Sequence, residues 1–235
     1  MLLSTLVNVI PIVIESPTIA AVAHSETIAG ITIVKSQQSA PLSAIAAIMQ
    51  LSTYPFLRTT ADHALLTPEM VEYCCNEATD NAADFSAGLA RADVILAAYP
   101  QSVRTFFRLG ADSVSGCNLF AVQNKKGLRI LVRWKYLETV RKKPWRLVAA
   151  FGPLALIRFV TGRLSLITAF QAISTRLGMV IKPILMPFAE AAIDVDKPSD
   201  LELAEKILKH RSSATRQPQA ASPAAGPKEN QPRTI

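Results

Sequence analysis

The chain has 235 residues, half of them hydrophobic, which is enough for one α/β domain with a sizeable buried core. Its formal net charge of +7 favours anionic partners. Its three cysteines, the adjacent Cys74 and Cys75 and the distant Cys117, have no metal-site spacing and read as small buried hydrophobes of a reduced, cytoplasmic chain.

The N-terminus is apolar, but Asn8, Pro11 and Glu15 interrupt it and no positive residues lead it, so it does not read as a signal peptide. Residues 1–7 suit the end of a helix. Residues 10–14 are continuously apolar and β-branched, as in a strand buried on both faces. A short helix over 17–29 and a strand over 31–34 follow, then a polar loop over 36–43 and a helix over 44–51. A strand is expected over 56–60. Thr67 caps a helix that Pro68 opens and that runs to about residue 79.

The apolar run 92–98, centred on Val94, Ile95 and Leu96, reads as a strand ended by Tyr99-Pro100, and residues 116–122 as another. Helices are expected over 128–140, over 145–159 with a break at Gly152-Pro153, and over 164–177. Residues 180–185 are strand-like despite Pro183, and 191–195 read as a last strand. A final helix spans 199–210, with Ser199 as cap and Glu202 completing a capping box. Residues 212–235 are Ser, Pro, Ala, Gln and charge, the composition of a disordered tail. No stretch of about 20 residues is apolar and free of charge, so no membrane span is expected.

Strands alternating with helices imply an α/β domain with a mostly parallel sheet, whose ligands bind at the carboxyl ends of the strands. Two acidic spots fall at such ends. The first is Asp62, in Arg58-Thr59-Thr60-Ala61-Asp62-His63-Ala64-Leu65. The second is Asp194-Val195-Asp196, whose alternating side chains would share one face of a strand. Magnesium is usually held by one or two carboxylates together with substrate phosphates and water, so both spots are candidate Mg2+ ligands. The plainer alternatives are a turn-capping aspartate and a solvent-facing edge strand. Between them, Arg104 and Arg108 lie four apart and could clamp a phosphate, or simply line a surface helix. Gly116 would let backbone approach a ligand, and Asn118 could hydrogen-bond it.

Taken together, Thr60-Ala61-Asp62-His63-Ala64-Leu65 and Asp194-Val195-Asp196-Lys197-Pro198-Ser199-Asp200-Leu201 resemble the signature of MobA-like nucleotidyltransferases, the molybdenum-cofactor guanylyltransferase-like family. Ala64 stands where the family usually has proline. The segment Ser115-Gly116-Cys117-Asn118-Leu119-Phe120 resembles a branch of the family that lacks a glycine-rich acceptor loop. The resemblance spans residues 1–208. It implies a three-layer α/β/α, Rossmann-like, nucleotide-diphospho-sugar-transferase-type fold over residues 1–211. It also implies transfer of a nucleoside monophosphate from an NTP to a phosphate or hydroxyl acceptor, with pyrophosphate leaving. Asp62, Asp194 and Asp196 would hold Mg2+, Asp62, Arg104 and Arg108 would serve catalysis, and Ser39, Ser43, Gly116 and Asn118 would bind substrate. The family's opening pattern, Leu-Ala-Gly-Gly-x-Ser-x-Arg-Met-Gly, does not occur, so the domain is expected to be N-terminally truncated, with Met1 corresponding to an internal methionine.

A glycosyltransferase shares the fold but places its Asp-x-Asp mid-chain rather than near the C-terminus. A catalytically impaired member that binds nucleotide, or contacts a membrane surface through Arg141-Lys142-Lys143-Pro144-Trp145-Arg146, is the alternative from another class. Nucleic-acid binding is not expected, because no helix-turn-helix, RRM or zinc motif occurs.

Overall fold

A computed structural model describes residues 10–14, 31–38, 40–51, 54–80, 82–130 and 152–216. The expected helices over 1–7 and 17–29, most of that over 128–140, the first half of that over 145–159, and the tail beyond 216 lie outside these residues.

Two strands, β1 (Ile10–Ile14) and β2 (Ile31–Lys35), pair in parallel. A second sheet holds β3 (Phe56–Arg58), β4 (Phe85–Arg91), β5 (Phe107–Leu109), β6 (Asp112–Val122) and β7 (Ile181–Met186). Its order is β3-β6-β4-β7, with β5 on β6. Strand β6 is antiparallel to β3, β4 and β5, and β7 is parallel to β4. Four strands therefore run one way and β6 alone opposes them.

Period-two alternation divides the core by sheet face. Cys117, Leu119 and Ala121 of β6 meet Met70, Cys74 and Ala78 of α2 (Pro68–Asp80) and Ile95 of α3 (Ala92–Ala98). On the other face Phe120 and Val122 meet Ala44 and Ile48 of α1 (Ala40–Leu51) and Phe170 and Ile173 of α5 (Leu166–Leu177). The result is the expected three-layer α/β/α domain. Helix α4 (Pro153–Val160) packs on α5 around Ala155 and Leu164. A 3-10 turn, Ala189–Ala192, and helix α6 (Pro198–Arg216) close the chain.

Three expectations are corrected. Residues 92–98 form α3, and the strand is the preceding β4, Phe-Ser-Ala-Gly-Leu-Ala-Arg. A short apolar run does not distinguish strand from helix, and β4 lacks β-branched residues because it lies between β6 and β7 where small side chains fit. A Cβ on Gly88 would sit 3.1 Å from Leu119 Cβ. The expected strand over 191–195 is instead the 3-10 turn and an irregular segment, so Asp194 and Asp196 do not share a strand face. Helix α6 begins at Pro198 rather than after a Ser199 cap, and it continues to Arg216, past residue 211. Its first turn is held by Asp200 in place of Glu202. The Asp200 Oδ2 accepts from the Lys197 N–H at 3.1 Å and the Asp196 N–H at 3.3 Å, the carboxylate half of a capping box. The Thr67 cap is as expected, its hydroxyl accepting from the Met70 N–H at 3.4 Å.

Asp84, just before β4, ties three segments: it accepts from the Val180 N–H at 2.7 Å and Asn124 Nδ2 at 2.9 Å, and pairs with Lys126. Gly127, in the same turn, has no room for a side chain, since a Cβ there would collide with the Asp84 carbonyl oxygen and come within 2.9 Å of Val122 Cγ1. Overpacking a backbone-lined site typically costs about 1–3 kcal/mol. Gly127→Ala is therefore expected to lower unfolding stability by about 2 kcal/mol, read as a lower urea midpoint with an unchanged slope.

Candidate active site

Strand β3 stops at Arg58, opposite Phe120, and the β6 residues before Phe120 have no β3 partner. Opposite that stretch the β4–β6 ladder is irregular: Ala87 pairs with Phe120, but Leu89 pairs with Gly116. The extra residues of β6 form a bulge, a device that re-aims a side chain. At its centre Asn118 takes a left-handed φ of 49°, which asparagine tolerates better than most residues. Cys117 and Leu119 stay buried on either side, and the Asn118 side chain leaves the core.

The Asn118 Nδ2 donates to Asp194 Oδ2 at 2.8 Å. Although β3 and β7 lie at opposite edges of the sheet, the loops that leave them meet here. The Val195 N–H donates to the Asp62 carbonyl at 2.9 Å. The two acidic spots thus share one locality, and each keeps a buried oxygen, Asp62 Oδ1 and Asp194 Oδ1, with no hydrogen-bond partner. Thr60 Oγ1, Ser102 Oγ and Arg104 Nε are buried and unpartnered among the same segments.

Burial, first, and the Asp62 charge, second, push the Asp194 carboxyl up to about 6. Asp196 adds to this, while the Asn118 bond and Arg104 oppose it. Beside them His63 is buried, with Nδ1 3.3 Å from Thr59 Oγ1. Burial lowers its pKa against the opposing influence of the Asp62 charge and the Glu190 backbone, so the ring is neutral near pH 7. An outer brace backs the pocket: Tyr99 donates to Glu190 Oε1 at 2.7 Å, and Arg211 pairs with Glu190 and donates to the Leu65 carbonyl.

The remaining candidates divide. Arg104 is nearly buried, donates to the Asp194 carbonyl at 3.1 Å and pairs with Asp200 at 3.3 Å. It therefore fixes the 194–200 loop and is not held as a phosphate clamp. Arg108 is exposed on β5, opposite Ser113 and away from Asn118 along β6; the two arginines do not share a helix. Gly116 is exposed, and a Cβ there would meet nothing within 4 Å, so only an approaching ligand would require its openness. Asp196 is exposed, and its link to Asp194 is electrostatic alone. Ser43 is buried, its hydroxyl accepting from the Gln37 N–H at 2.8 Å, which anchors the loop before α1. Ser39 lies outside the described residues. Among those residues no group of three or more His, Cys, Asp or Glu is arranged to hold a metal. His63, Asp200 and Glu190 were not singled out from sequence as site residues. His63 and Asp200 sit within the two acidic motifs, and Glu190 lies four residues before the second.

No protein-family model matches the sequence, and no curated protein matches it. Solved structures do. A hypothetical transferase from Thermus thermophilus is similar with a TM-score of 0.63 and 24% identity, over 72% of this chain and 72% of that one. CMP:2-keto-3-deoxy-manno-octonic acid synthetase, solved in complex with CTP, is similar with a TM-score of 0.51 and 11% identity, over 86% of this chain and 81% of that one. The chain shares the mixed α/β fold of these two structures.

The Asp194 shift has a measurable consequence. An unfolded chain releases this proton near pH 4, whereas the folded chain keeps it to about 6. Folding therefore takes up a proton between those values, and stability declines as pH rises through that window. Asp194→Asn removes the effect. In metal-free buffer at pH 7.5 its Tm should exceed that of the parent by roughly 2–4 °C, after discounting the charge energy to about 1 kcal/mol for solvent screening. The difference should vanish below pH 4. A Tm difference that does not depend on pH would refute the assignment.

Proposed function

We propose that the protein is a nucleotidyltransferase of the MobA-like branch. It would transfer a nucleoside monophosphate from an NTP to a small phosphate- or hydroxyl-bearing acceptor. The observation that carries this is the meeting of Asp62 and Asp194, each with a buried, unpartnered carboxylate oxygen. Two carboxylates that interact in a partly buried site repel unless a cation or a proton offsets the charge. A hard divalent cation such as Mg2+ fits that donor set, because it commonly takes one or two carboxylates and completes its shell with phosphate oxygens and water. The similarity to a synthetase solved with CTP adds to the case.

In this reading Asp62 and Asp194 hold Mg2+, which when bound neutralises charge on the phosphate oxygens. Asn118 orients Asp194, and Arg104 positions the 194–200 loop through Asp200 and the Asp194 carbonyl. His63, neutral and buried, packs beside Asp62 without adding a charge that would compete for the cation. Gly116 leaves backbone open to the acceptor, and Arg108 is the exposed cation offered to a phosphate. The acceptor oxygen forms the new bond to the α-phosphorus, the α–β bridge bond breaks, and pyrophosphate departs. Catalysis rests on placement and charge neutralisation.

A pyrophosphate-release assay with the four NTPs and phosphorylated or hydroxyl acceptors tests this. Asp62→Asn and Asp194→Asn should each lower turnover by about a hundredfold or more, since several kcal/mol of charge stabilisation goes with the cation. Both variants should keep a cooperative melt. Because metal binding requires the Asp194 carboxylate, the apparent Mg2+ affinity should weaken as pH falls below about 6. Full turnover in Asp62→Asn would sink the assignment.

A further inference from the structure

A second surface lies away from the carboxylates. Helix α4 turns its inner face, Ala155, Leu156 and Phe159, to α5 and to Leu109 of β5. Its outer face is apolar as well. Leu154 and Ile157 are 60% exposed and Val160 is 75% exposed, at helical spacing. Ile167, in the first turn of α5, is 64% exposed. The α4–α5 hairpin is firmly seated. The Leu166 N–H donates to Asp112 Oδ2 at 3.1 Å, and Gly110 lies so close to the connection that a Cβ on it would stand 3.3 Å from the Gly162 and Leu164 carbonyl oxygens. Four large aliphatic side chains on a rigid element are thus left in water, where a patch of this kind marks an interaction site.

The charge of the hairpin and of the sequence that leads to it selects the partner. Residues 125–182 hold 13 of the chain's 25 Lys and Arg and only one, Glu138, of its 18 Asp and Glu. The rest of the chain is net acidic, so this segment supplies the whole positive balance. Arg158, Arg163 and Arg176 are exposed on the hairpin and its connection, and residues 152–182 contain no acid. Among the described residues no helix is long and apolar enough to cross a membrane.

We propose that the α4–α5 hairpin docks the protein on an anionic phospholipid bilayer. Leu154, Ile157, Val160 and Ile167 would enter the acyl boundary, and the arginines would face the headgroups. Aliphatic side chains flanked by cations are the signature of an interfacial element. A second copy of the chain suits the patch poorly, because a two-fold interface sets each patch against itself and brings these arginines together, while residues 152–182 hold no acid and the bordering Asp112 is already engaged by Arg91 and the Leu166 N–H. Nucleic acid would use the cations but leave the aliphatic face in water. The docking does not depend on the catalytic reading.

Sedimentation of the full chain with vesicles tests the proposal. Binding is expected to vesicles of equal parts phosphatidylglycerol and phosphatidylcholine, to be weak to phosphatidylcholine alone, and to fall in about 0.5 M salt. The double variant Ile157→Ser/Val160→Ser should bind the anionic vesicles at least about tenfold more weakly, with an unchanged Tm, because both side chains are exposed in the free protein. Arg158→Gln/Arg163→Gln should weaken binding about tenfold or more. Failure to bind the anionic vesicles would overturn the proposal. So would equal binding by the serine variant, or a concentration-dependent dimer in light scattering that the serine variant abolishes.

Discussion

The hydrogen bond from the Val195 N–H to the Asp62 carbonyl is the contact on which the site depends. It joins loops that leave opposite edges of a sheet and brings two carboxylates into a half-buried space that neither would enter alone. The cost appears in Asp194, whose carboxyl is pushed up to about 6 by burial and by Asp62. Such an arrangement persists because its surroundings over-determine it. Asn118 grips one Asp194 oxygen from β6, Arg104 grips its carbonyl, and Arg104 is itself held by Asp200 of α6. Two segments distant in sequence, at Arg104 and Asn118, converge on one residue, while its other oxygen is left unpartnered.

The single antiparallel strand makes that convergence feasible. Because β6 runs against its neighbours and bulges opposite Gly88, the residue reaching the site is a mid-strand asparagine with a left-handed φ, held by ladders on both sides. A residue so placed is fixed more tightly than one on a free loop. Gly88 is the complement of the bulge, since any side chain there would press on Leu119.

Much of this was legible in the sequence, for identifiable reasons. The alternation of strand and helix and the two acidic motifs are local patterns, and they located the layers and both carboxylates. Strand β4 was missed because its small residues answer to its neighbours in the sheet, not to strand propensity, while the adjacent apolar 92–98 imitated a strand. The spacing of Asp194 and Asp196 suggested two equal ligands. After the 3-10 turn the backbone is irregular rather than a strand, so Asp194 is partly buried and Asp196 exposed. Arg104 looked like a phosphate clamp because spacing reveals a charge but not its partner. Asp200, 96 residues later, takes that charge first. Ser43 likewise belongs to the backbone of its own loop.

The division of charge follows from the same economy. The pocket is acidic, and its nearest cation, Arg104, is engaged with Asp200. Two carboxylates so arranged repel a bare triphosphate, so on the proposed function the nucleotide is accepted together with its divalent ion, which reverses the sign of the local field. The exposed arginines of the α4–α5 hairpin, Arg158, Arg163 and Arg176, lie on the same hairpin as an exposed aliphatic face. If the cations served mainly to draw nucleotide, exposed leucine and isoleucine next to them would have no purpose and would favour aggregation. Cations and aliphatic side chains on one seated hairpin are accounted for together by a surface that is itself anionic outside and apolar beneath. On the two proposals, the protein would separate two electrostatic tasks: an acidic site that would receive phosphate together with a metal, and a basic, apolar hairpin that would meet an anionic bilayer directly.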